Sequence, residues 1–497
     1  MASSPQAHSH SGVVTPEWVK HAVFYQIFPD RFAKSARLAK PHNLEPWDSD
    51  PTAEGYKGGD LLGVVEHLDY LQDLGVTALY FNPIFQSASN HRYHTHDYYR
   101  VDPLLGGDAA FDELLAACKA RAIRVILDGV FNHASRGFFQ FNTILENGAA
   151  SPWRDWFHVD AYPPNAYDPS RPPGYAAWWG LPALPEFNTA NPQVWEFLMG
   201  VGEYWIGRGV DGWRLDVPCE ITTPGFWQEF RRRVKAINPE AYIVGEIWDD
   251  ARAWLEGDQF DGVMNYPLTE AVIGFAAGAR IVPETVAGRG YHPRPLDGAA
   301  YADRVDALLD RYPAPIARAQ FNLLDSHDTA RFITIAGGDE ASLRLGALLQ
   351  FTFPGAPSVY YGDEIGLTGG LPDNWARKSF PWDRPLDWNT GLQWYYKELI
   401  ALRHTHPALR TGDYRRLRAD ADTYACARTL DGDALLIAVN VAGAPRALDL
   451  PLGSLPVGDA PPTIVFATGQ PETVDLSGAT LTLPARAGVV LDVAPRR

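Results

Sequence analysis

The strongest constraint on the fold is an eightfold alternation of short apolar segments with longer segments of helical periodicity. The apolar segments read as β-strands and lie at residues 22–29, 78–83, 124–133, 212–217, 241–247, 262–267, 319–328 and 358–366. Between them, stretches such as 61–71 and 111–121 repeat apolar residues at three- and four-residue steps, which is typical of amphipathic helices. Eight strand–helix units predict a closed (β/α)8 barrel rather than an open doubly wound sheet.

Polar residues stand where four of these strands end. They are, in chain order, Asp128, His133, Asp216, Glu246, His327 and Asp328. Barrel enzymes place their chemistry at the C-terminal ends of the strands and in the loops that follow. The sequence therefore predicts one active site to which four strands contribute. An open sheet would not explain polar clusters at so many strand ends.

The fourth strand carries an arginine and an aspartate two residues apart. Side chains alternate between the faces of a strand, so Arg214 and Asp216 should share one face while Trp213, Leu215 and Val217 take the other. A fixed cation beside a carboxylate lowers its pKa, which suits a nucleophile. Taken alone, the pair also fits a buried structural ion pair. The acidic strand ends downstream favour the catalytic interpretation.

Three carboxyl groups in one pocket favour glycosidic bond cleavage, because burial and repulsion separate their pKa values. Asp216 is the expected nucleophile. Glu246 has no adjacent cation in the sequence and apolar neighbours, so a raised pKa and an acid/base role are predicted. Asp328 would stabilise an oxocarbenium-like centre and hold sugar hydroxyls. Nucleophile and acid should then lie about 5.5 Å apart, with net retention.

Four regions of different character follow from these patterns. We predict a disordered tail at 1–16, a catalytic barrel at 17–133 and 192–410, an inserted B domain at 134–191, and a C-terminal antiparallel β-sandwich at 411–497. The insertion is rich in Trp, Tyr, Pro and Gly, and a structureless loop of that length is improbable in a compact domain.

Composition excludes several function classes. A net charge of −17 argues against nucleic acid and against an anionic membrane surface. Three widely spaced cysteines indicate neither a disulfide framework nor a zinc cluster. No signal peptide or membrane span is recognisable. We expect a cytoplasmic protein, and its sixteen Trp and twenty-two Tyr include candidates for stacking on sugar rings.

Four ordered motifs resemble the conserved regions of the α-amylase family of glycoside hydrolases. They are DGVFNH at 128–133, GWRLD at 212–216, GEIW at 245–248 and SHDT at 326–329. The resemblance extends over nearly the whole chain. MNYP at 264–267 and FNLLDSHDT at 321–329 are most similar to the neopullulanase, cyclomaltodextrinase and maltogenic amylase group.

This resemblance implies a (β/α)8 barrel, a retaining double displacement on α-glucosidic bonds, and the same roles for Asp216, Glu246 and Asp328. It also implies further substrate-binding residues. These are His91, Tyr93, Asp128, His133, Arg214, Trp248, His327, Asp373 and Arg377. Within the set, Tyr93 would stack on the reacting sugar, and Trp248 would stack on the leaving-group side.

The sequence departs from the group at several places. The group has a β-rich domain of about a hundred residues before the barrel and dimerises through it, whereas here the barrel begins near His21, so monomer or dimer is left open. The group's calcium site after the first strand uses clustered Asn and Asp, which 33–38 lacks. Asn132 and Asn188 match positions that share calcium in α-amylases, but Asn-to-carbonyl hydrogen bonds are the preferred expectation. No cofactor is expected to be required, and no metal ligand is assigned.

Two further departures alter the leaving-group side of the cleft. LPEFN at 184–188 stands where the group has MPKLN, and PCE at 218–220 follows Asp216 where it has ANE. The leading hypothesis is an α-glucan hydrolase that cleaves α-1,4 bonds in cyclomaltodextrins, maltooligosaccharides or pullulan, with α-1,6 bonds as a further target and transglycosylation as a side activity. The alternatives are an α-glucosidase or glucan transferase on the same scaffold and, more remotely, an inactive carbohydrate-binding barrel.

Overall fold

A computed structural model describes residues 12–168, 170–288, 290–451, 453, 455, 461–469, 474–477 and 479–493. The tail predicted at 1–16 lies mostly outside these residues, and so does the end of the region predicted at 411–497.

The β-strands lie in a parallel barrel sheet, a small hairpin, and two C-terminal sheets. In chain order they are β1 Phe24–Ile27, β2 Ala78–Phe81, β3 Phe85–Ser87, β4 Thr95–Val101, β5 Arg124–Gly129, β6 Gly212–Leu215, β7 Tyr242–Gly245, β8 Gly262–Val263, β9 Phe321–Asn322, β10 Ala356–Tyr360, β11 Asp413–Ala419, β12 Thr423–Leu430, β13 Asp433–Asn440, β14 Arg446–Asp449, β15 Thr463–Ala467, β16 Asp475–Ser477, β17 Thr480–Leu483 and β18 Ala487–Asp492.

The α-helices mostly follow the barrel strands. They are α1 Glu17–His21, α2 Pro29–Phe32, α3 Leu61–Glu66, α4 Leu68–Leu74, α5 Gly107–Ala120, α6 Phe139–Asn147, α7 Pro192–Gly207, α8 Phe226–Ile237, α9 Tyr266–Ala276, α10 Gly298–Arg311, α11 Ala314–Ala317, α12 Phe332–Ile335, α13 Glu340–Thr352, α14 Thr390–Thr405 and α15 Pro407–Thr411. Side-chain caps fix several starts: Asp60 accepts from Gly63 N at α3, and Asp297 accepts from Ala300 N at α10.

All eight predicted barrel strands are present, and the predicted (β/α)8 fold is confirmed. Their order is β8-β7-β6-β5-β2-β1-β10-β9, and every pairing is parallel. A parallel bridge between Met264 and Phe321 joins the two ends of the sheet. The ring is therefore closed, and the C-terminal ends of all eight strands share one rim.

The alternation of side chains divides each barrel strand into an outer and an inner row. Outward residues such as Trp213 and Leu215 pack in the large core beneath the helices. Inward residues such as Phe24, Ala78 and Tyr242 fill the bottom of the barrel. Polar side chains occupy the inward positions nearer the C-terminal rim, so the barrel itself directs them into one site.

Several strands are shorter than predicted. The fourth ends at Leu215, and Val217 leaves it with a left-handed backbone at φ 34° and ψ 50°. The prediction that Val217 continues the outward row is therefore wrong. Only Phe321–Asn322 of the predicted 319–328 pairs as a strand. In both cases the polar residues that follow form the rim, where site geometry rather than strand pairing determines the backbone.

Between β5 and α7 the chain leaves the barrel and forms the segment that the sequence predicts as an inserted domain. It contains α6 and is tied by isolated antiparallel bridges between His133 and Glu186 and between Phe157 and Phe187. Aromatic side chains pack inside it; Phe157 stacks on Phe187 with ring centroids 5.2 Å apart. This segment therefore stands beside the rim as a packed wall.

The C-terminal strands form two antiparallel sheets, in the orders β11-β12-β13-β18-β15 and β14-β17-β16. Leu436 and Val489 of the first sheet share one buried cluster with Leu448 and Leu481 of the second. The two sheets pack face to face, as predicted for an antiparallel sandwich. Within the described residues, none of the helices has the length and apolar character needed to cross a membrane.

Candidate active site

Arg214 is the centre of the polar rim. Its Nη1 lies 2.9 Å from Asp128 Oδ1 and 2.9 Å from Asp216 Oδ1, and its Nη2 lies 2.9 Å from Glu246 Oε2. All four side chains are buried, and Asp216 is only 7% exposed. The prediction that Glu246 lacks a neighbouring cation is wrong. Strand register explains the error, because β6 and β7 pair Leu215 with Gly245 and bring Glu246 beside this guanidinium.

The shared cation changes the electrostatics expected from the sequence. Burial raises the pKa of Asp216 well above its usual range; Arg214 opposes the rise, and Glu246, Asp128 and Asp328 add to it. Burial likewise raises the pKa values of Glu246 and Asp128. A lowered pKa for Asp216 was the wrong direction, because one guanidinium charge is divided among three buried carboxyl groups. The raised pKa predicted for Glu246 is confirmed, and these groups titrate as a coupled set.

Asp328 reaches the site from the loop after β9. His327 Nε2 lies 3.0 Å from its Oδ2, and Arg377 Nη2 donates to its Oδ1 at 3.3 Å. Arg377 also pairs with Asp373 and donates from Nε to the His327 carbonyl at 2.8 Å. The structure therefore brings together all four of these predicted residues, and Asp328 is the most exposed of the three predicted catalytic carboxyl groups.

Tyr93 links the two halves of the site. Its hydroxyl donates to Asp128 Oδ2 at 2.8 Å and lies 2.6 Å from His327 Nε2, and its ring is nearly parallel to that imidazole. His91 Nδ1 accepts a hydrogen bond from the Tyr93 backbone. Burial, with Arg377 nearby, holds the pKa of His91 well below its usual range. A neutral imidazole can then accept or donate a hydrogen bond to a sugar hydroxyl.

His133 connects the rim to the wall formed by 134–191. Burial lowers the pKa of His133 to about 3, so its imidazole is neutral near pH 7. Trp178 stacks on it with centroids 5.1 Å apart, and Trp179 stacks on Trp178 at 4.8 Å. Trp179 is 79% exposed and has φ 50°, a left-handed conformation that costs free energy for a non-glycine residue. The three stacked rings of His133, Trp178 and Trp179 therefore extend from the site to the protein surface.

Trp248 contacts the predicted acid/base directly. Its Nε1 donates to Glu246 Oε1 at 3.0 Å, while its ring lies parallel to Tyr266 with centroids 3.6 Å apart. One face of the indole is therefore occupied by protein. A role for Trp248 in stacking on a leaving-group sugar stays a prediction.

Sequence reasoning missed several residues of the inner shell. Tyr80 donates to Asp128 Oδ2 at 2.7 Å, Asn82 donates to Tyr93 at 3.1 Å, and the Gln26 amide lies 2.9 Å from His327 Nδ1. Each stands at an inward position near the top of a predicted strand. Polar character combined with inward phase is the signal that could have identified them.

No group of three or more His, Cys, Asp or Glu side chains among the described residues is arranged to hold a metal ion. After β1, Lys40 Nζ lies 3.0 Å from Asp60 Oδ2, so this carboxylate already has a cation. Asn188 donates its amide to the Asp155 carbonyl at 3.0 Å, the type of bond preferred from the sequence. The side chains described after the first strand do not fit the calcium site that the resembled group has there, where the sequence already lacks the clustered Asn and Asp.

Comparison with known proteins adds an independent line of evidence. A family model for the catalytic domain of alpha amylase matches residues 26–391. A cyclomaltodextrinase of Geobacillus thermopakistaniensis is 44% identical over 441 residues, covering 88% of this chain and 71% of that protein. Neopullulanase 2 of Thermoactinomyces vulgaris is 44% identical over 445 residues, covering 88% and 72%. The acarbose-soaked crystal structure of a Nostoc punctiforme debranching enzyme has 53% identity and a TM-score of 0.88, covering 97% of this chain and 100% of that one.

Proposed function

Because the chain belongs to the α-amylase family of glycoside hydrolases, we propose that it is a retaining hydrolase of short α-glucans. The resemblance drawn from the four motifs is thereby confirmed. The proposed substrates are cyclomaltodextrins, maltooligosaccharides and pullulan, with cleavage at α-1,4 and at accessible α-1,6 bonds. The observation that carries this proposal is the set of three buried carboxyl groups around Arg214, two of them on the adjoining strand ends of β6 and β7.

We assign the nucleophile to Asp216 and the acid/base to Glu246. Nη1 of Arg214 donates hydrogen bonds to Asp216 and Asp128, which opposes the rise in pKa that burial gives both carboxyl groups, and we place the proton of the three-carboxyl set on Glu246. The Asp216 carboxylate forms a bond to the anomeric carbon. The glycosidic C–O bond breaks, its electron pair goes to the leaving oxygen, and that oxygen takes the Glu246 proton.

In the second step the Glu246 carboxylate takes a proton from water, and the water oxygen attacks the anomeric carbon. The bond to Asp216 breaks and its electron pair returns to the carboxylate. Side chains supply the nucleophile and the proton, so the reaction as written requires no cofactor. Asp328, held by His327 and Arg377, is placed to bind sugar hydroxyls and to stabilise positive charge at the anomeric centre.

The remaining assignments form the walls of the reacting subsite. We propose that Tyr93 and His327 line one side and that Arg377 with Asp373 grips the preceding sugar. His91 and His133, both neutral, would exchange hydrogen bonds with hydroxyl groups. Asp128 and Arg214 form a buried ion pair behind the sugar, which partly neutralises the charge of the surrounding carboxyl groups.

A debranching activity on α-1,6 bonds is the second candidate. It is favoured by the similarity to the Nostoc punctiforme debranching enzyme, at higher identity and over nearly the full length of both chains. A glucan transferase or α-glucosidase would use the same carboxyl groups, with a sugar hydroxyl in place of water in the transferase. The inactive-barrel hypothesis predicts no turnover at all.

Product analysis distinguishes these functions. Purified protein is incubated with β-cyclodextrin, pullulan, soluble starch, maltotriose and an α-1,6-branched maltooligosaccharide, with and without EDTA and added calcium. Conversion of cyclodextrin to maltose and glucose, with starch nearly unchanged, supports the leading proposal. Faster release from the branched substrate supports debranching. Longer products from maltotriose indicate transfer, glucose from maltotriose alone indicates an α-glucosidase, and no products contradict an active enzyme.

Azide rescue tests the two assigned roles separately. With Asp216→Ala, azide can replace the nucleophile and should give a β-glycosyl azide from an α-glycosyl fluoride. With Glu246→Ala, azide attacks the glycosyl-enzyme and should give an α-glycosyl azide. Asp69→Ala, an exposed position paired with Arg121, is the matched control and should give neither. Exchanged anomers would reverse the assignment.

We further propose that the enzyme works in the cytoplasm. Its three cysteines are free, and Cys219 is exposed three residues after the proposed nucleophile, which suits a reducing compartment. The proposed partner is an oligosaccharide and not nucleic acid, in keeping with the net charge of −17. Sedimentation velocity would decide between monomer and dimer.

A further inference from the structure

The two oxygens of Glu246 have different surroundings. Oε2 accepts a hydrogen bond from the Val217 backbone N–H at 3.1 Å and lies 2.9 Å from Arg214 Nη2. Oε1 accepts from Trp248 Nε1 at 3.0 Å. A carboxyl oxygen that accepts a backbone N–H and lies beside a guanidinium charge is a poor site for a proton, because the N–H hydrogen and the positive charge both face it. The acidic proton therefore belongs on Oε1.

Backbone strain fixes the donor on the Oε2 side. Val217 has φ 34° and ψ 50°, and a β-branched residue rarely adopts this left-handed conformation. Pro218 follows directly and starts a short 3-10 turn. The strained residue lies between the proposed nucleophile and this turn and directs its N–H at Glu246. A strained backbone at such a point is commonly retained for function.

Packing fixes the donor on the Oε1 side. The Trp248 indole lies parallel to Tyr266, at 3.6 Å and 5°. Tyr291 lies 5.6 Å from the indole, and a Cβ added at Gly290 would come within 3.4 Å of it. These contacts hold the ring plane, so the direction of the indole N–H is determined by packing.

We propose that Trp248 is a positioning residue for the acid/base: its N–H occupies one lone-pair direction of Glu246 Oε1 and confines the transferable proton to the other. This inference rests on the proposed hydrolase function and deepens it. When the glycosidic bond breaks, the Oε1–H bond breaks too; the proton goes to the leaving oxygen, and the electron pair stays on the carboxylate. The indole N–H then stabilises the carboxylate that forms.

Trp248→Phe tests this proposal, because phenylalanine can keep the stack on Tyr266 while losing the N–H. The charged and titratable groups that face Glu246 are Arg214, Asp216, Asp328, Cys219, Tyr80 and Tyr266, and all are unchanged in the variant. A lost donor to the ionised form should raise the pKa of Glu246. The basic limb of kcat/KM against pH should therefore move upward by about 0.5 to 1 unit.

A substrate that needs no proton gives a second readout. The kcat/KM for maltotriose should fall about 10-fold or more, because proton delivery is weakened. The kcat/KM for α-maltosyl fluoride should change less than about 2-fold, since fluoride leaves without general acid assistance. Trp195→Phe, a partly buried tryptophan packed on Phe226 on the helical face, is the matched control and should leave both values and the limb in place.

Equal losses on both substrates with an unmoved limb would overturn the proposal, because they indicate sugar binding or general structural damage. A moved limb combined with the selective loss on maltotriose supports it. Failure of the proposed function gives a different result: the wild-type protein would then turn over neither substrate.

Discussion

Arg214→Met should destabilise the protein by an amount that increases with pH. The guanidinium is fully buried against Asp128, Asp216 and Glu246, and removing one partner of a buried pair costs about 3–5 kcal/mol. The three carboxyl groups can limit this cost by taking up protons, since burial already raises their pKa values. Proton uptake becomes harder as pH rises.

The pH dependence has a definite sign and size. A carboxyl group whose folded-state pKa is raised contributes stability below its unfolded pKa, near 4, and loses it as pH rises through the folded value. Each additional proton held by the folded variant costs about 1.4 kcal/mol per pH unit. Between pH 5 and pH 7, one such proton increases the deficit of Arg214→Met relative to wild type by about 2.7 kcal/mol.

Urea unfolding followed by tryptophan fluorescence at pH 5 and pH 7 measures this difference. Arg403→Met is the matched control, because Arg403 is equally buried but donates only to backbone carbonyls, among them Phe351 O and Gly355 O. Burial lowers the pKa of Arg403 to about 9, so it is charged at both pH values. Its loss of stability should be nearly the same at pH 5 and pH 7. A pH-independent loss for Arg214→Met would refute the shared-cation reasoning.

Three further changes test other parts of the structure. Trp179→Ala should raise KM for β-cyclodextrin about 3- to 10-fold with little change in kcat, because a stacking surface is lost outside the reacting subsite; an unchanged KM would contradict this. Burial and Asp325 raise the pKa of Asp363, so Asp363→Asn should lower the free energy of unfolding more at pH 5 than at pH 8, as measured by urea titration. Gly212→Ala places a Cβ 2.2 Å from a carbonyl oxygen of β7 and should cost about 3 kcal/mol or more in thermal unfolding, whereas Gly207→Ala meets nothing within 4 Å and should cost little.

The barrel and its main carboxyl groups were predictable because they depend on periodicity and order. Alternation within 212–217 gave the inward phase of Arg214 and Asp216, and the closed ring follows from eight strand–helix units. Contacts across strands were not predictable in this way. That Glu246 meets Arg214 depends on the register of β6 against β7, for which a single sequence carries no direct signal.

Backbone conformation at the rim was the other gap. Val217 is β-branched and continues an apolar strand pattern, so propensity favoured an extended conformation. The structure places it in the left-handed region, where its N–H meets Glu246. The orientation of Trp248 was unpredictable for the same reason, because its stack on Tyr266 joins residues from two strand ends. At such positions the local conformational preference of the sequence is overridden by contacts that only the folded chain provides.

The proposed nucleophile and acid/base are positioned on neighbouring strands by the same kind of backbone hydrogen bond. Asp216 N donates to Gly129 O, and Glu246 N donates to Leu215 O, so each carboxyl-bearing residue is anchored one step beyond its strand by the preceding strand. Asp328, in contrast, lies on a loop six residues beyond β9 and is held by side chains. The pair whose separation decides between retention and inversion is thus fixed by the barrel backbone.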